Sequence, residues 1–253
     1  MYKITAIPAL KDNYIWAIHR ASHAVVVDPG EAAPVLTFLQ HNKLQLESIL
    51  CTHRHHDHID GIAELCEVYN VPVYGRSHPR NPHITVNLSE GDRLQLPALE
   101  VEFRIWEVPG HLDDHIAFVS PAAVFCGDVM FGAGCGRNFE GTPAQLQHSL
   151  ERLAGLPETT LVYCAHEYTA LNLPFAAHCE PHNSQIQQRI ADTRRLRMSN
   201  QATVPFTLGL EKATNPFLRC KQPELIATLQ TNGFDTPNEL AVFTALREWR
   251  DQF

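Results

Sequence analysis

The sequence predicts a layered α/β scaffold followed by a smaller helical part. Three observations carry that expectation. Short strand-like runs alternate with helical periodicity through the first half of the chain. Alternation of apolar and polar residues returns between Asp92 and Val119, which predicts a second sheet. Beyond Glu167 the alternation stops, and only helical patterns remain.

In chain order, Tyr2 to Pro8, Tyr14 to Arg20 and His23 to Val27 read as strands of a meander, the last running into the turn Asp28-Pro29-Gly30. Ala32 to Leu39 is helical in pattern. The apolar run Ser48-Ile49-Leu50 reads as a buried strand, Ile59 through Asn70 as a helix, and Val71 to Tyr74 as another strand. In the second strand-rich stretch Leu94, Leu96, Val101, Phe103, Ile105 and Val108 supply the apolar face. Thr142 is placed to cap a helix with Pro143 in its first turn. Leu161 to Ala165 reads as one more buried strand. Thr169 to Ala177, Ser184 to Arg197, Glu224 to Gln230 and Pro237 to Asp251 favour helix. A boundary is expected between a first domain, 1–166, and a helical C-terminal domain, 167–253.

With 253 residues, 44% of them hydrophobic and 19% charged, the chain can bury a substantial core. A formal charge of −8 argues against general affinity for nucleic acid or anionic membrane, so any cationic patch would be a specific site. No stretch has signal-peptide character and no apolar run approaches the ~20 residues of a membrane span, so a cytoplasmic location is expected. The seven cysteines form no C-x-x-C pair and read as reduced core or near-site thiols, with Cys51, Cys66, Cys126 and Cys164 the examples.

Chemistry concentrates in Cys51-Thr52-His53-Arg54-His55-His56-Asp57-His58, at a strand-to-helix turn. In an extended segment His53 and His55 share a face and can grip one ion. Asp57 and His58 follow a break in that register, and Asp57 falls near a helix N-terminus, where a carboxylate is favoured. Further donors end other predicted strands: His111 after Pro109-Gly110, Asp128 after Cys126-Gly127, and His166 after Cys164-Ala165. Such a set converging on one edge of an α/β scaffold points to two adjacent metal ions rather than one. His56, on the intervening position, is expected to face away, and His115 to brace the ligands from behind. His78, His83, His148, His178 and His182 show no ligand pattern.

The order His53-x-His55-x-Asp57-His58, His111, Asp128, His166 resembles the metallo-β-lactamase superfamily. Gly134-Cys135-Gly136-Arg137, His166-Glu167-Tyr168-Thr169 with Asn172-Leu173, Glu180-Pro181-His182-Asn183 and Arg247-x-x-Arg250-Asp251 extend the likeness to the glyoxalase II family, the hydroxyacylglutathione hydrolases. The resemblance implies a four-layer αββα sandwich with a smaller α-helical C-terminal domain. It implies that His53, His55 and His111 hold one metal and that Asp57, His58 and His166 hold the second, with Asp128 bridging. It also implies hydrolysis of the thioester of S-(2-hydroxyacyl)glutathione, typically S-D-lactoylglutathione, the last step of methylglyoxal detoxification. Zinc is the expected metal, with iron and manganese the alternatives, and two ions would lower the pKa of a shared water to give a hydroxide nucleophile oriented by Asp57.

The family's glutathione-binding positions fall on Arg137, Phe139, Tyr168, Arg247 and Arg250. Three are cationic, as suits a tripeptide with two carboxylates. The chain departs from the family at Leu112 and Asp114, where Thr and Gly are common, at Ala165 for Gly, and at Phe139 for a Tyr whose hydroxyl could bond the peptide. A monomer acting on a small-molecule glutathione thioester is expected. The superfamily also opens lactams and lactones and cleaves phosphodiesters; the last would favour a basic substrate surface, which the net charge does not advertise. A binding protein with closed, structural metals is the remaining alternative.

Overall fold

A computed structural model describes residues 1–253, which divide into two compact units: residues 1–107 with 114–127, and residues 108–113 with 128–253. The expected boundary at 166/167 follows a change of sequence texture; the compact units instead follow contacts and divide after Gly127.

The first unit opens on an antiparallel meander of β1 (Lys3–Ala9), β2 (Asn13–Arg20) and β3 (His23–Val27). Helix α1 (Ala32–Asn42) then leads to β4 (Gln45–Leu50), which lies parallel to β3. After the short helix α2 (His56–Ile59) and α3 (Ile62–Tyr69), β5 (Val73–Gly75) and β6 (Val86–Asn87) extend the sheet in parallel. Along β2, Ile15 and Ala17 join the apolar cluster containing Val35 and Leu39 of α1 and Leu65 of α3, while the alternate residues Trp16 and Ile18 are equally buried. Burial on both faces is the mark of a sheet inside a layered stack. The second strand set of this unit, β7 (Arg93–Leu96), β8 (Val101–Glu107), β9 (Ile116–Val119) and β10 (Ala123–Gly127), is antiparallel throughout. The turn between β7 and β8 packs on β2 and β3. Phe103, Phe118 and Phe125 meet edge to face at centroid distances of 6.3 and 5.7 Å and fill its core.

The helix expected over Ile59–Asn70 is interrupted. It begins only at Ile62, as α3, and Ile59 instead ends the separate short helix α2. The cause is a close backbone approach at Gly61, whose amide donates to the Pro29 carbonyl at 3.0 Å. A Cβ there would lie 2.7 Å from that oxygen and 2.6 Å from the Glu31 carbonyl carbon. The break frees α2 to present Asp57 and His58 independently of α3.

The second unit begins with the hairpin β11 (Met130–Phe131) and β12 (Gly134–Cys135). Helix α4 (Pro143–Ala154) starts with the expected cap: Gln145 N donates to Thr142 Oγ1 at 3.2 Å, and Thr142 N donates to Gln145 Oε1 at 2.8 Å. Strand β13 (Leu161–Cys164) precedes α5 (Thr169–Cys179) and α6 (Ser184–Met198), the latter capped by Asn183. Strand β14 (Phe206–Thr207), α7 (Leu208–Thr214), α8 (Pro223–Thr231) and α9 (Glu239–Gln252) complete the chain. The helices α5, α6, α8 and α9 were all expected; the short β14 and α7 were not. No helix is long and apolar enough to cross a membrane.

All seven cysteines are free thiols, and six are buried; Cys66 alone is partly exposed. Burial pushes the thiols of Cys51, Cys179 and Cys220 upward and raises that of Cys135 to about 11, so none of these four is a thiolate at neutral pH. An aromatic disulfide reagent should therefore titrate no more than one thiol per native chain, Cys66, and seven after denaturation. Rapid labelling of two or more in the native protein would show the packing to be wrong.

Candidate metal centre

The seven expected donors divide between the units. His53, His55, Asp57 and His58 belong to the first, and His111, Asp128 and His166 to the second. Within each, the local hydrogen bonds decide which ring nitrogen carries a proton and which offers a lone pair.

In the first unit the chain leaves β4 and turns through Cys51–His55 into α2. Asp28, with φ of 54°, aims its carboxylate back under this turn. Its Oδ1 accepts from Thr52 N at 2.7 Å, and its Oδ2 accepts from Thr52 Oγ1 at 2.7 Å and from His58 Nδ1 at 3.1 Å. In the sequence Asp28 reads only as part of a turn. Since a carboxylate only accepts, His58 holds its proton on Nδ1 and keeps a lone pair on Nε2. Thr52 has given its hydroxyl proton to Asp28, so it accepts from His53 Nδ1 at 3.0 Å, which leaves the His53 Nε2 lone pair 3.1 Å from His55 Nδ1. Asp57, in the first turn of α2, accepts from Asn13 Nδ2 through Oδ2 at 2.9 Å, and the same oxygen stands 3.5 Å from His58 Nε2. His56 points away as expected: its side chain is 89% exposed and pairs with Asp60. His115 is buried and stacks on His53, with ring centroids 4.5 Å apart and 15° between planes.

In the second unit His111 Nδ1 donates to the Arg137 carbonyl at 2.8 Å, so its Nε2 lone pair faces Asp128 Oδ2 at 3.6 Å. His166 Nε2 faces the other oxygen, Oδ1, at 3.4 Å. One carboxylate thus addresses two imidazoles with separate oxygens, the arrangement a bridging ligand needs.

The same feature recurs four times: His53 with His55, His58 with Asp57, His111 with Asp128, and His166 with Asp128. Each pair sets ligand atoms within 3.6 Å of each other, and all but the last has an assigned nitrogen lone pair facing another donor. A nitrogen lone pair turned toward another ligand atom is a place where a cation can be held. The residues therefore fit divalent metal, and a mixed imidazole and carboxylate set suits zinc, iron or manganese.

Gly136 shows how closely the backbone supports these candidate donors. A Cβ at this position would meet the Asp128 carbonyl oxygen at 2.1 Å and His111 Nδ1 at 2.9 Å. Gly136→Ala should displace both ligands and weaken divalent-metal affinity by about 10–100-fold, the usual cost of disturbing groups that orient a ligand. Chelator competition would measure it, and unchanged affinity would refute this role.

The five expected substrate residues all lie in the second unit. Tyr168 stacks on His166 at 4.6 Å with 8° between planes, and Phe139, 61% exposed, meets His111 edge-on at 5.2 Å. Arg137 Nε lies 3.2 Å from Asp251 Oδ1. Arg250 Nη2 donates to Asn172 Oδ1 at 3.2 Å. Its pKa is pressed down by burial, then by Arg247 and Arg137, while Asp251 opposes the shift. Three cations thus share a single nearby carboxylate, Asp251. Arg247 is placed otherwise than a simple ligand-binding cation: it is buried, donates to the Cys135 carbonyl at 3.1 Å and to Asp251 at 2.9 Å, and lies over the Phe217 ring. It holds β12 while adding its charge to the group.

Comparison with known proteins places these features. Residues 11–166 match the family model of the metallo-beta-lactamase superfamily, and residues 167–253 match that of the hydroxyacylglutathione hydrolase C-terminus. The hydroxyacylglutathione hydrolases of Photobacterium profundum and Nitrosomonas europaea are 47% and 44% identical over 255 and 254 residues. Those alignments cover 100% of this chain and 100% and 97% of the relatives. Among solved structures, ETHE1 from Myxococcus xanthus superposes with a TM-score of 0.65 at 24% identity, covering 99% of each chain. TTHA1623, solved in a di-iron-bound form, gives 0.61 at 28% identity over 85% of this chain and 100% of that one.

Proposed function

Because this chain belongs to the hydroxyacylglutathione hydrolases of the metallo-β-lactamase superfamily, we propose that it hydrolyses S-(2-hydroxyacyl)glutathione, typically S-D-lactoylglutathione, to glutathione and D-lactate. The fold is the metallo-β-lactamase α/β sandwich with a helical C-terminal region. In this reading residues 1–166 form the metal-binding catalytic domain and residues 167–253 the substrate-binding one. His53, His55 and His111 would hold one divalent ion and Asp57, His58 and His166 the other, with Asp128 shared between them; zinc is the metal first expected. Such ions acidify water to a nucleophile at neutral pH and polarise a thioester carbonyl.

The chain's own residues supply the rest. Asn13 fixes one oxygen of Asp57, so the carboxylate is set to orient the attacking water and accept its proton. The leaving group is a thiol whose pKa lies near ~8.5, so no strong general acid is needed. Arg137 and Arg250, with Arg247 behind them, receive the glutathione carboxylates; burial first, and then repulsion by Arg247 and Arg137, lowers the Arg250 pKa, and a bound carboxylate relieves the repulsion. Phe139 and Tyr168, whose rings rest on His111 and His166, are the aromatic contacts of the glutathione part. Phe139 lacks a hydroxyl, so this position contributes contact area and no hydrogen bond to the peptide.

The observation that supports this reading is the presence, within one unit, of a carboxylate that faces two imidazoles, Asp128, and of a three-arginine group. Its test is kcat/KM for S-D-lactoylglutathione against a lactoyl thioester lacking the glutathione peptide. Hydrogen bonds to charged groups are worth about 1.5–3 kcal/mol, so a preference of roughly 10–100-fold is expected. Equal rates for the two would remove the glutathione assignment, and no turnover of either by metal-loaded protein would remove the hydrolase reading. The protein is expected to act as a monomer in the cytoplasm.

A further inference from the structure

Between the ligands His53 and His55 stands Arg54, a cation on the loop that would receive divalent metal. Its guanidinium is buried, with 3% of the side chain exposed, and its Nη1 donates to Asp114 Oδ1; the Asp114 side chain is 4% exposed. The segment carrying Asp114 is fastened to the metal loop at two further points. Ile116 N donates to the Thr52 carbonyl at 2.9 Å, and the His115 ring stacks on that of His53. His115 Nδ1 in turn bonds the Ile116 carbonyl at 3.1 Å, which sets the ring. Residues 114–116 therefore underlie residues 52–54 as a splint, and all of them lie in the first unit.

A buried cation one residue from each of two metal ligands opposes the arrival of a divalent ion, and in a low-dielectric surrounding that opposition is strong. We propose that Asp114 is a positioning residue for the metal centre, acting through Arg54: its carboxylate cancels the charge of Arg54 and so permits a cation to be built into the metal loop. The proposal rests on the metal assignment above. It gives a role to a residue that stands where the family commonly has Gly.

The test is divalent-metal affinity of the metal-free full chain, by zinc titration against a chromogenic chelator, with the visible spectrum of the cobalt form as a second readout. Asp114→Asn preserves the side-chain shape and removes the charge; affinity should fall about 10–100-fold, in the range known for groups behind metal ligands. Arg54→Gln removes the cation instead, and its affinity should equal or exceed that of the parent. The double variant Arg54→Gln/Asp114→Asn, which carries neither charge, should return to within about threefold of the parent and remains testable if Asp114→Asn does not fold. A purely structural splint predicts the opposite: both single variants weaken binding alike and the double is no better. That result, or parental affinity and an unchanged cobalt spectrum in Asp114→Asn, overturns the proposal. Failure of the parent itself to bind zinc or cobalt would overturn the metal assignment, and the proposal with it.

Discussion

Asp128→Ala is expected to abolish thioester hydrolysis and to weaken metal retention by more than the ~10–100-fold that loss of a supporting residue costs. Both oxygens of this carboxylate are in use, Oδ2 toward His111 Nε2 at 3.6 Å and Oδ1 toward His166 Nε2 at 3.4 Å. On the proposed bridging role, deleting it would remove a ligand from each ion at once. Asp128→Asn keeps one acceptor oxygen and turns the other position into a donor, which cannot ligate a cation. It should retain at most part of the parent's metal content and should fall in kcat almost as far as the alanine variant. Elemental analysis of dialysed protein alongside steady-state thiol release checks both. An Asp128→Ala protein that kept two ions and full activity would sink the bridging assignment.

Glu211→Ala should destabilise the protein by about 3–5 kcal/mol, because it strands a buried cation. Glu211 is fully buried. Its Oε1 accepts from Arg189, itself only 4% exposed, while Oε2 accepts from Ala133 N at 3.0 Å and Asn215 Nδ2 at 2.8 Å. Ala133 sits in the turn of the β11–β12 hairpin, so this carboxylate ties α6 and α7 to the loop that ends at Gly136 and Arg137. Replacing both charges together, as Arg189→Met/Glu211→Leu, should cost much less, since no charge is then stranded. Urea unfolding of the parent, single and double proteins would measure the difference. A single-variant loss below about 1 kcal/mol would mean that Arg189 reaches water, contrary to its burial.

How far the sequence could be read depended on how diagnostic each residue type is. Histidines and aspartates at strand ends have few other reasons to recur, so the donor set could be assembled before any geometry was known. Thr142-Pro143 announced its helix because a cap and a first-turn proline act locally. Asp28 escaped notice because its role depends on meeting Thr52 and His58 in space, and within its own stretch it reads only as a turn. The break at Asp60–Gly61 was equally hidden, since Gly61 is required by the approach of the Pro29 backbone and not by its neighbours in sequence. The hairpin at 130–135, β14 and α7 are too short for periodicity to register. Arg247 is the instructive case: by its own pattern it reads as a solvated cation, only the resemblance makes it a substrate contact, and its guanidinium is buried with hydrogen bonds to the β12 backbone and to Asp251.

The most direct test of the account is a metal titration read in two ways. Metal-free protein is loaded with zinc in steps, and ions bound per chain are counted while hydrolysis of S-D-lactoylglutathione is recorded on the same samples. The account predicts negligible activity without metal and a plateau at two ions per chain. Full activity in the metal-free protein, or a plateau reached at a single ion with no second ion bound, would contradict it.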